Sequence, residues 1–516
     1  MRRLAAAGAL LLIAGCASLP EDYERSESHA LADTASTRLA LAARDALAAR
    51  PGLGACRPVP DGVDALASRM LLAEAAERSL DVQYYIWHDD LTGRLFASAL
   101  LRAADRGVRV RILLDDVGTK ANDEVVLTLD SHPSIEVRLF NPVASRAFRG
   151  AGMLTDFARV NRRMHNKSFI ADNQRAILGG RNIGDEYFDA HGGVVFSDLD
   201  VETVGPAVAE TSKAFDAYWN SAASVPIAAL TGRRAQAGSL DALRAELAAF
   251  VEAQRDSAYV QKARSTAGER LDADAAGWFW GRTLVVVDDA TKVERPPEDP
   301  EGRLLPQLGT VARQMQSELL IVSPYFVPGE AGVDWLRKTT RRGIGVTVLT
   351  NSLAATDVGV VHAGYKRYRE ALLDAGVRLY EFKPDAIEYE RTRRGKKRGE
   401  GGSSASLHAK TFVFDRRAVF IGSLNLDPRS TQLNTEIGIV CESEPMAREL
   451  ADGLLRALDQ VAWRVEKVAD PGGTPRLVWI ESTPAGVVRH DEEPGVSAWR
   501  RFGVWFLGLL PIESQL

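Results

Sequence analysis

Apolar and polar positions run through this chain twice in the same order. Residues 63–78 carry a helical pattern, and 80–87 (Leu-Asp-Val-Gln-Tyr-Tyr-Ile-Trp) have the β-branched and aromatic content of a strand. A second helix over 95–106 passes through Gly107 into a strand over 108–114. Far downstream, 319–327 predict a strand, with Ser323-Pro324-Tyr325 where the first unit has Gln83-Tyr84-Tyr85. A helix over 335–342 then passes through Gly343 into a strand over 344–349. Arg106-Gly107-Val108 recurs as Arg342-Gly343-Ile344 at an offset of 236, and phrases ending in Pro142 and Pro384 recur at 242. A nearly constant offset means a duplicated domain. Strands alternating with helices predict α/β layers with largely buried sheets. Between the units, residues 240–263 read as a helix with one buried face at Leu243, Leu247, Phe250 and Val251.

The repeat also carries chemistry. One copy has His165, Lys167 and Asp172; the other has His408, Lys410 and Asp415, both spaced as H-x-K-x-x-x-x-D. Seven residues after each Asp comes a small pair and an Asn: Gly179-Gly180-Arg181-Asn182 and Gly422-Ser423-Leu424-Asn425. Positions i and i+2 of a strand face one side, so each His and its Lys project together. Asp172-Asn173 and Asp415-Arg416 turn the chain, and the next strand delivers the Asn. A phosphodiester needs charge neutralised, a nucleophile and a protonated leaving group. Two Lys and two Asn suit the first task, and two histidines divide the others between them. The layout calls for neither metal nor cofactor.

The ends and the charge balance narrow the setting. Met1-Arg2-Arg3, an apolar run over 4–13 and Ala14-Gly15-Cys16 describe a secretory leader, over residues 1–15, too short to cross a bilayer. Ile13-Ala14-Gly15-Cys16 resembles a bacterial lipoprotein cleavage box, with Cys16 as the lipid-modified residue. Ala17, rather than Asp, follows it, and lipoprotein sorting rules then point to the periplasmic face of the outer membrane. Residues 16–60 are expected to be a loosely packed tether, with a helix over 37–50 stopped by Pro51-Gly52. The repeats are expected over 61–225 and 276–470, a helical linker over 226–275 and an amphipathic tail over 471–516. Cys56 and Cys441 are read as one tether thiol and one buried thiol rather than a pair. The net charge of −5, with dispersed Lys and Arg, argues against a nucleic-acid partner.

The duplicated motif resembles the phospholipase D superfamily. The resemblance implies two homologous repeats, each a mostly buried β-sheet flanked by helices, packed about a pseudo-twofold axis around one shared active site. It assigns His165, Lys167, Asn182, His408, Lys410 and Asn425 to that site, with Asp172 and Asp415 in the motif but mainly holding local structure. An acid downstream of each His orients it in the family, and the matches are Glu436 after His408 and Asp198 after His165; His165 matches the usual nucleophile. Within the superfamily, residues 82–87, the segment 357–380 with His362, and the ending Leu510-Pro511-Ile512-Glu513-Ser514 resemble bacterial cardiolipin synthases, the C-type in particular. That implies phosphatidyl transfer between phospholipids, with phosphatidylethanolamine or phosphatidylglycerol as donor and phosphatidylglycerol as acceptor. It leaves open a periplasmic phospholipase D that uses water and, less favoured, a nuclease. An accessory protein accompanies some C-type relatives. The same resemblance would point His362 into the site, whereas a lone histidine is more often structural. The basic run 391–398 and the aromatic segment from Trp499 to Leu510 are candidate lipid contacts.

Overall fold

A computed structural model describes residues 18–20, 22–23, 25–119, 122–146, 149–190, 195–267, 272–273, 275–386, 405–469, 472–510 and 513–516. The leader, Cys16 and the basic run 391–398 lie outside them. The first half contributes strands β1 (Gly54–Val59), β2 (Ser79–Tyr84), β3 (Arg109–Asp115), β4 (Ile135–Phe140), β5 (Ser168–Ala171), β6 (Arg175–Gly179), β7 (Val195–Ser197), β8 (Asp200–Val204) and β9 (Ser224–Pro226). The second contributes β10 (Phe279–Val287), β11 (Glu318–Val322), β12 (Gly345–Asn351), β13 (Arg378–Phe382), β14 (Ala405–Leu407), β15 (Lys410–Phe414), β16 (Ala418–Gly422), β17 (Ile437–Glu442), β18 (Ala462–Ala469), β19 (Pro475–Thr483) and β20 (Gly486–His490).

Hydrogen bonding runs β9-β4-β3-β2-β5-β6-β8-β1 through the first half. It continues β10-β17-β16-β15-β11-β12-β13-β18-β19-β20 through the second. The halves join where β1 pairs antiparallel with β10, at Ala55 opposite Trp280. In each half the three strands nearest the repeat's start are parallel (β2-β3-β4 and β11-β12-β13) and the motif strand is antiparallel to them. The two sheets also pack face to face. Leu113, Ile170, Leu178 and Val201 meet Leu320, Val413, Ile421 and Ile439 in one buried cluster. The opposite faces are covered by helices, giving a separate core in each half. Helices Pro206–Trp219 and Glu444–Val461 share the inner cluster, so helices lie both outside the sheets and between them.

Local sequence explains the recurring joints. Helix Leu91–Asp105 ends at Arg106, and Gly107 takes φ 90° so that Val108 can bond back to Ala103. Gly343 takes φ 85° after helix Gly329–Arg341, with its N–H donating to the Thr340 carbonyl. Only glycine enters that region without steric cost, which is why the Arg-Gly-Val/Ile phrase is such a visible repeat mark. The linker forms two helices, Ser239–Gln254 and Ala258–Ala267, and Leu243, Leu247, Phe250 and Val251 all pack on the first core.

Three expectations are corrected. Much of the stretch 16–60 is no loose tether. Helix Arg38–Ala48 buries Leu39 and Ala43, and β1 is the central strand of the whole sheet. Its sequence, Gly-Ala-Cys-Arg-Pro-Val, shows no alternation because residues on both its faces are buried or half-buried. Pro58 sits where β1 is paired on one side alone, a place that tolerates a missing N–H. Cys56 and Cys441 are not separate thiols: they form a disulfide between β1 and β17, tying the halves together. The stretch 471–516 is not simply an amphipathic tail. It begins with β19 and β20, which extend the second sheet, and only Ala498–Leu507 is the amphipathic helix.

Candidate active site

Each motif histidine is held by the other half of the molecule. His165 N–H donates to the Thr435 carbonyl at 2.9 Å, and Thr435 N–H donates to the Arg163 carbonyl at 2.9 Å. In the second half, β14 pairs in parallel with β7, and His408 N–H donates to the Ser197 carbonyl at 2.8 Å. Side chains cross in the same sense, so each orienting acid comes from the other half and not, as expected, from downstream of its own His. His165 Nδ1 meets Glu436 Oε2 at 2.9 Å, and His408 Nδ1 meets Asp198 Oδ2 at 2.6 Å. With both Nδ1 atoms engaged, Nε2 is the atom each imidazole offers to a ligand. The histidines are 9% and 6% exposed, so both rings are buried.

The lysines sit beside them. Lys167 Nζ donates to the His165 carbonyl at 2.6 Å, and Lys410 Nζ donates to that of His408. Each lysine acts electrostatically on both histidines, so the two copies form one site. Burial pushes Lys410 down to about 8 against the pull of Asp198 and Glu436. Burial lowers Lys167 well below the ordinary value too. Burial also lowers His165 to about 4, although Glu436 opposes it, and moves His408 in the same direction. Burial works against the charge on Asp198, yet His408 and Lys410 hold its carboxyl below the usual range. Glu436 is likewise held down by His165 and Lys167 against its burial. Ser423 Oγ donates to Glu436, which gives the Ser of the Gly-Ser pair a specific task.

Asn182 Oδ1 accepts from Ile86 N at 3.1 Å, which orients its amide. Asn425 Oδ1 is buried with no hydrogen-bond partner. A buried amide oxygen without a partner needs a donor, which a ligand hydroxyl can supply, while the Nδ2 of the same amide is the atom that can donate to a phosphoryl oxygen. The small residues before each Asn are needed for space. A Cβ on Gly180 would come within 2.3 Å of Asp198 Oδ1, and one on Gly422 within 2.5 Å of the Ile437 carbonyl oxygen.

Asp172 and Asp415 are not brought to the site. Asp172 accepts from the backbone N–H groups of Glu77, Arg78 and Ser79 at 2.7–3.2 Å. Asp415 accepts from Gln316, Ser317 and Glu318 at 2.8–2.9 Å. Both sit in turns with positive φ and fasten the motif strand to the start of its neighbour. His362 is also elsewhere, in the structural role common for a lone histidine. It is buried between Glu493 at 3.2 Å and Arg369 at 2.9 Å, in an ion network with Glu381. The histidine belongs to that network because its helix, Gly359–Lys366, turns its buried face onto Arg369 and Glu493.

Several groups at the site had no sequence signal of their own. Tyr85 lies 5.1 Å from His165 between ring centroids and 5.3 Å from Lys167 Nζ. Tyr187 and Phe196 flank His408 at 5.3 and 5.0 Å. Tyr325 donates to Asp357 at 2.8 Å, and Asp357 acts on Lys410. The repeat alignment of Tyr85 with Tyr325 was the available clue. Among the described residues, His88, Asp90 and Glu186 form the one group with ligand atoms close enough for a metal. Asp90 already accepts from the backbone of Gly93 and Asp185, a capping role that accounts for its placement.

A family model for the cardiolipin synthase phospholipase D-like domain matches residues 70–219 and 311–457. The chain belongs to this family. It is 43% identical over 489 residues to cardiolipin synthase C of Escherichia coli K12, covering 93% of this chain and 100% of that protein. It is 27% identical over 403 residues to cardiolipin synthase A of Pseudomonas entomophila, covering 78% and 67%. Among solved structures, phosphatidylserine synthase of Haemophilus influenzae shares the fold, with a TM-score of 0.52 at 13% identity, covering 79% of this chain and 87% of that one. The two regions matched by the family model are the repeats that bring His165 and His408 together.

Proposed function

We propose that the protein transfers a phosphatidyl group between phospholipids and makes cardiolipin. Phosphatidylethanolamine or phosphatidylglycerol is the donor and phosphatidylglycerol the acceptor. The observation that carries the reading is the crossed pairing of two buried histidines with the other half's carboxylates, in a chain similar along its length to a cardiolipin synthase.

His165 is the nucleophile. Burial keeps it neutral, and Glu436 fixes Nδ1 so that Nε2 can attack phosphorus. A P–N bond forms while the P–O bond to the headgroup breaks. His408, as imidazolium, gives its proton to the departing alkoxide. Burial disfavours that cation in the empty site, but a bound phosphodiester brings a negative charge that favours it. Neutral His408 then takes the proton from a glycerol hydroxyl of phosphatidylglycerol. That oxygen attacks phosphorus and the P–N bond breaks, releasing cardiolipin. Lys167, Lys410, Asn182 and Asn425 hold the phosphoryl oxygens. Aromatic walls at Tyr85, Tyr187 and Phe196 restrict water beside the intermediate.

The membrane setting is part of the proposal. Cys16 carries a lipid anchor that holds the enzyme on the periplasmic side of the envelope, at the outer membrane. The Cys56–Cys441 disulfide supports an oxidising compartment. Among the described residues no helix is long and apolar enough to cross a membrane. Helix Ala498–Leu507 exposes Trp499, Phe502, Trp505 and Phe506, a composition suited to lying in a lipid interface.

The test is product analysis by mass spectrometry. Purified protein alone, with no accessory protein, is mixed with phosphatidylethanolamine and phosphatidylglycerol vesicles, with His408→Ala as control. Cardiolipin is the expected product; phosphatidic acid alone would make water the acceptor. For the anchor, Cys16→Ser is expected to abolish labelling by radioactive palmitate, and unchanged labelling would refute it.

A further inference from the structure

The two halves are not equally filled. In the first half, the outer face of the sheet beside the motif strand is solid. Trp87 stacks on Phe96 at 5.2 Å, and Phe96 packs on Phe169 of β5 at 5.4 Å. Phe96 is fully buried, and the space of about 100 Å³ walled by linker residues Leu243 and Leu247 lies over β3 and β4, away from the motif strand. The corresponding place in the second half is marked by the bridge Phe326–Leu426, which repeats the bridge Trp87–Ile183. There a cavity of about 800 Å³ remains between the sheet and helices Leu304–Ala312 and Gly329–Arg341.

The walls of this cavity are apolar, with Ile321, Phe326, Leu336, Phe412 and Leu426 among them. Trp335, on the helix that matches the one carrying Phe96, is 44% exposed instead of fully buried. A space of this size is in the range of about 300–1,000 Å³ that small-ligand sites occupy, and an apolar one does not hold water well. It also neighbours the active site along the chain, although no motif His, Lys or Asn lines it. Lys410, Phe412 and Phe414 alternate onto one face of β15, so the cavity lies directly along the strand from Lys410. Leu426 and Asp427, which line it, follow Asn425.

We propose that this cavity holds one fatty acyl chain of a phospholipid whose phosphate lies between the two histidines. The proposal rests on the phosphatidyl-transfer reading and deepens it. One lipid is gripped by its tail in the second half alone, and the first half, being solid, offers no equivalent. The phosphate at Lys410 and Asn425 and the tail beyond Phe412 then belong to a single molecule. A duplicated enzyme with two different substrates gains from such asymmetry, because one lipid is held while the other exchanges.

The probe is phosphatidylglycerol with a diazirine near the end of one acyl chain, presented in phosphatidylethanolamine vesicles and photolysed with the full-length protein. Crosslinked peptides are mapped by mass spectrometry. The expected label lies on residues 304–341 and 412–432. Gly309→Phe fills the cavity from helix Leu304–Ala312, where a Cβ meets nothing closer than Arg313 Nη1 at 3.7 Å. It is expected to cut that label about tenfold and to lower the ratio of long-chain to dihexanoyl lipid turnover about tenfold. Label confined to helix Ala498–Leu507, or unmoved by Gly309→Phe in a protein that melts normally, would overturn the cavity. If that variant fails to fold, the wild-type map alone decides between the cavity and the surface. The two readings fail separately. Cardiolipin formed with an unlabelled cavity sinks the acyl site only, and a labelled cavity without cardiolipin sinks the transferase only.

Discussion

Replacing Asp198 by Asn and Glu436 by Gln separates the two halves of the proposed cycle. Each change removes one negative charge and keeps shape. Both carboxylates are buried, with Asp198 at 2.6 Å from His408 and Glu436 at 2.9 Å from His165. Charge-assisted hydrogen bonds contribute about 1.5–3 kcal/mol, and about 1.4 kcal/mol is tenfold in rate. Losing about 2 kcal/mol of imidazole orientation and imidazolium stabilisation therefore slows phospholipid turnover about 30-fold for either variant. A p-nitrophenyl phosphodiester distinguishes them, because its leaving group departs without a proton. Rapid-quench measurement of the p-nitrophenol burst then reports nucleophilic attack alone. With His165 as nucleophile, Glu436→Gln keeps its roughly 30-fold deficit in the burst, and Asp198→Asn comes within about threefold of the parent. The opposite pattern would exchange the roles of His165 and His408. Losses below about threefold in both variants on phospholipid would refute the view that the crossed carboxylates drive the chemistry.

Other consequences follow from the same geometry. Burial places Lys410 at about 8 in the free enzyme, and the charged form is the one that binds phosphate. Lys167 and His408 also act as cations and are also lowered by burial, so kcat/KM should fall as pH rises, with its limb no higher than about 8; a flat profile to pH 10, about two units beyond, would contradict the assignment. Asp172→Ala leaves the N–H groups of Glu77, Arg78 and Ser79 without their acceptor, so urea unfolding should show a loss of about 3 kcal/mol. The folded fraction should retain its kcat, and a collapse of kcat in stably folded protein would give Asp172 a direct role instead. Reduction of Cys56–Cys441, which closes a loop with a sequence separation of 385, should lower stability by about 2–4 kcal/mol, and an unchanged urea midpoint under reductant would argue against the bond.

The sequence by itself determined what local backbone rules control. Strand alternation put each His beside its Lys, and the positive-φ turns at Asp172 and Asp415 and the glycines at 107 and 343 marked where chains reverse. Those signals are legible because each depends on a few neighbouring dihedral angles, and duplication repeated them. The tertiary structure alone decided which groups meet. His165 and Glu436 are 271 residues apart, His408 and Asp198 are 210 apart, and no periodicity encodes such a crossing. Pairing on both edges made a central strand of Gly54–Val59, whose sequence reads as coil. The same holds for His362, which local spacing leaves free to face either way and which the buried charges of Arg369 and Glu493 hold in their own network. Packing volume is decided last of all. Phe169 and Phe412 are equivalent in the repeat, yet one is sealed under Phe96 and the other lines open space, because the helices above them carry different side chains.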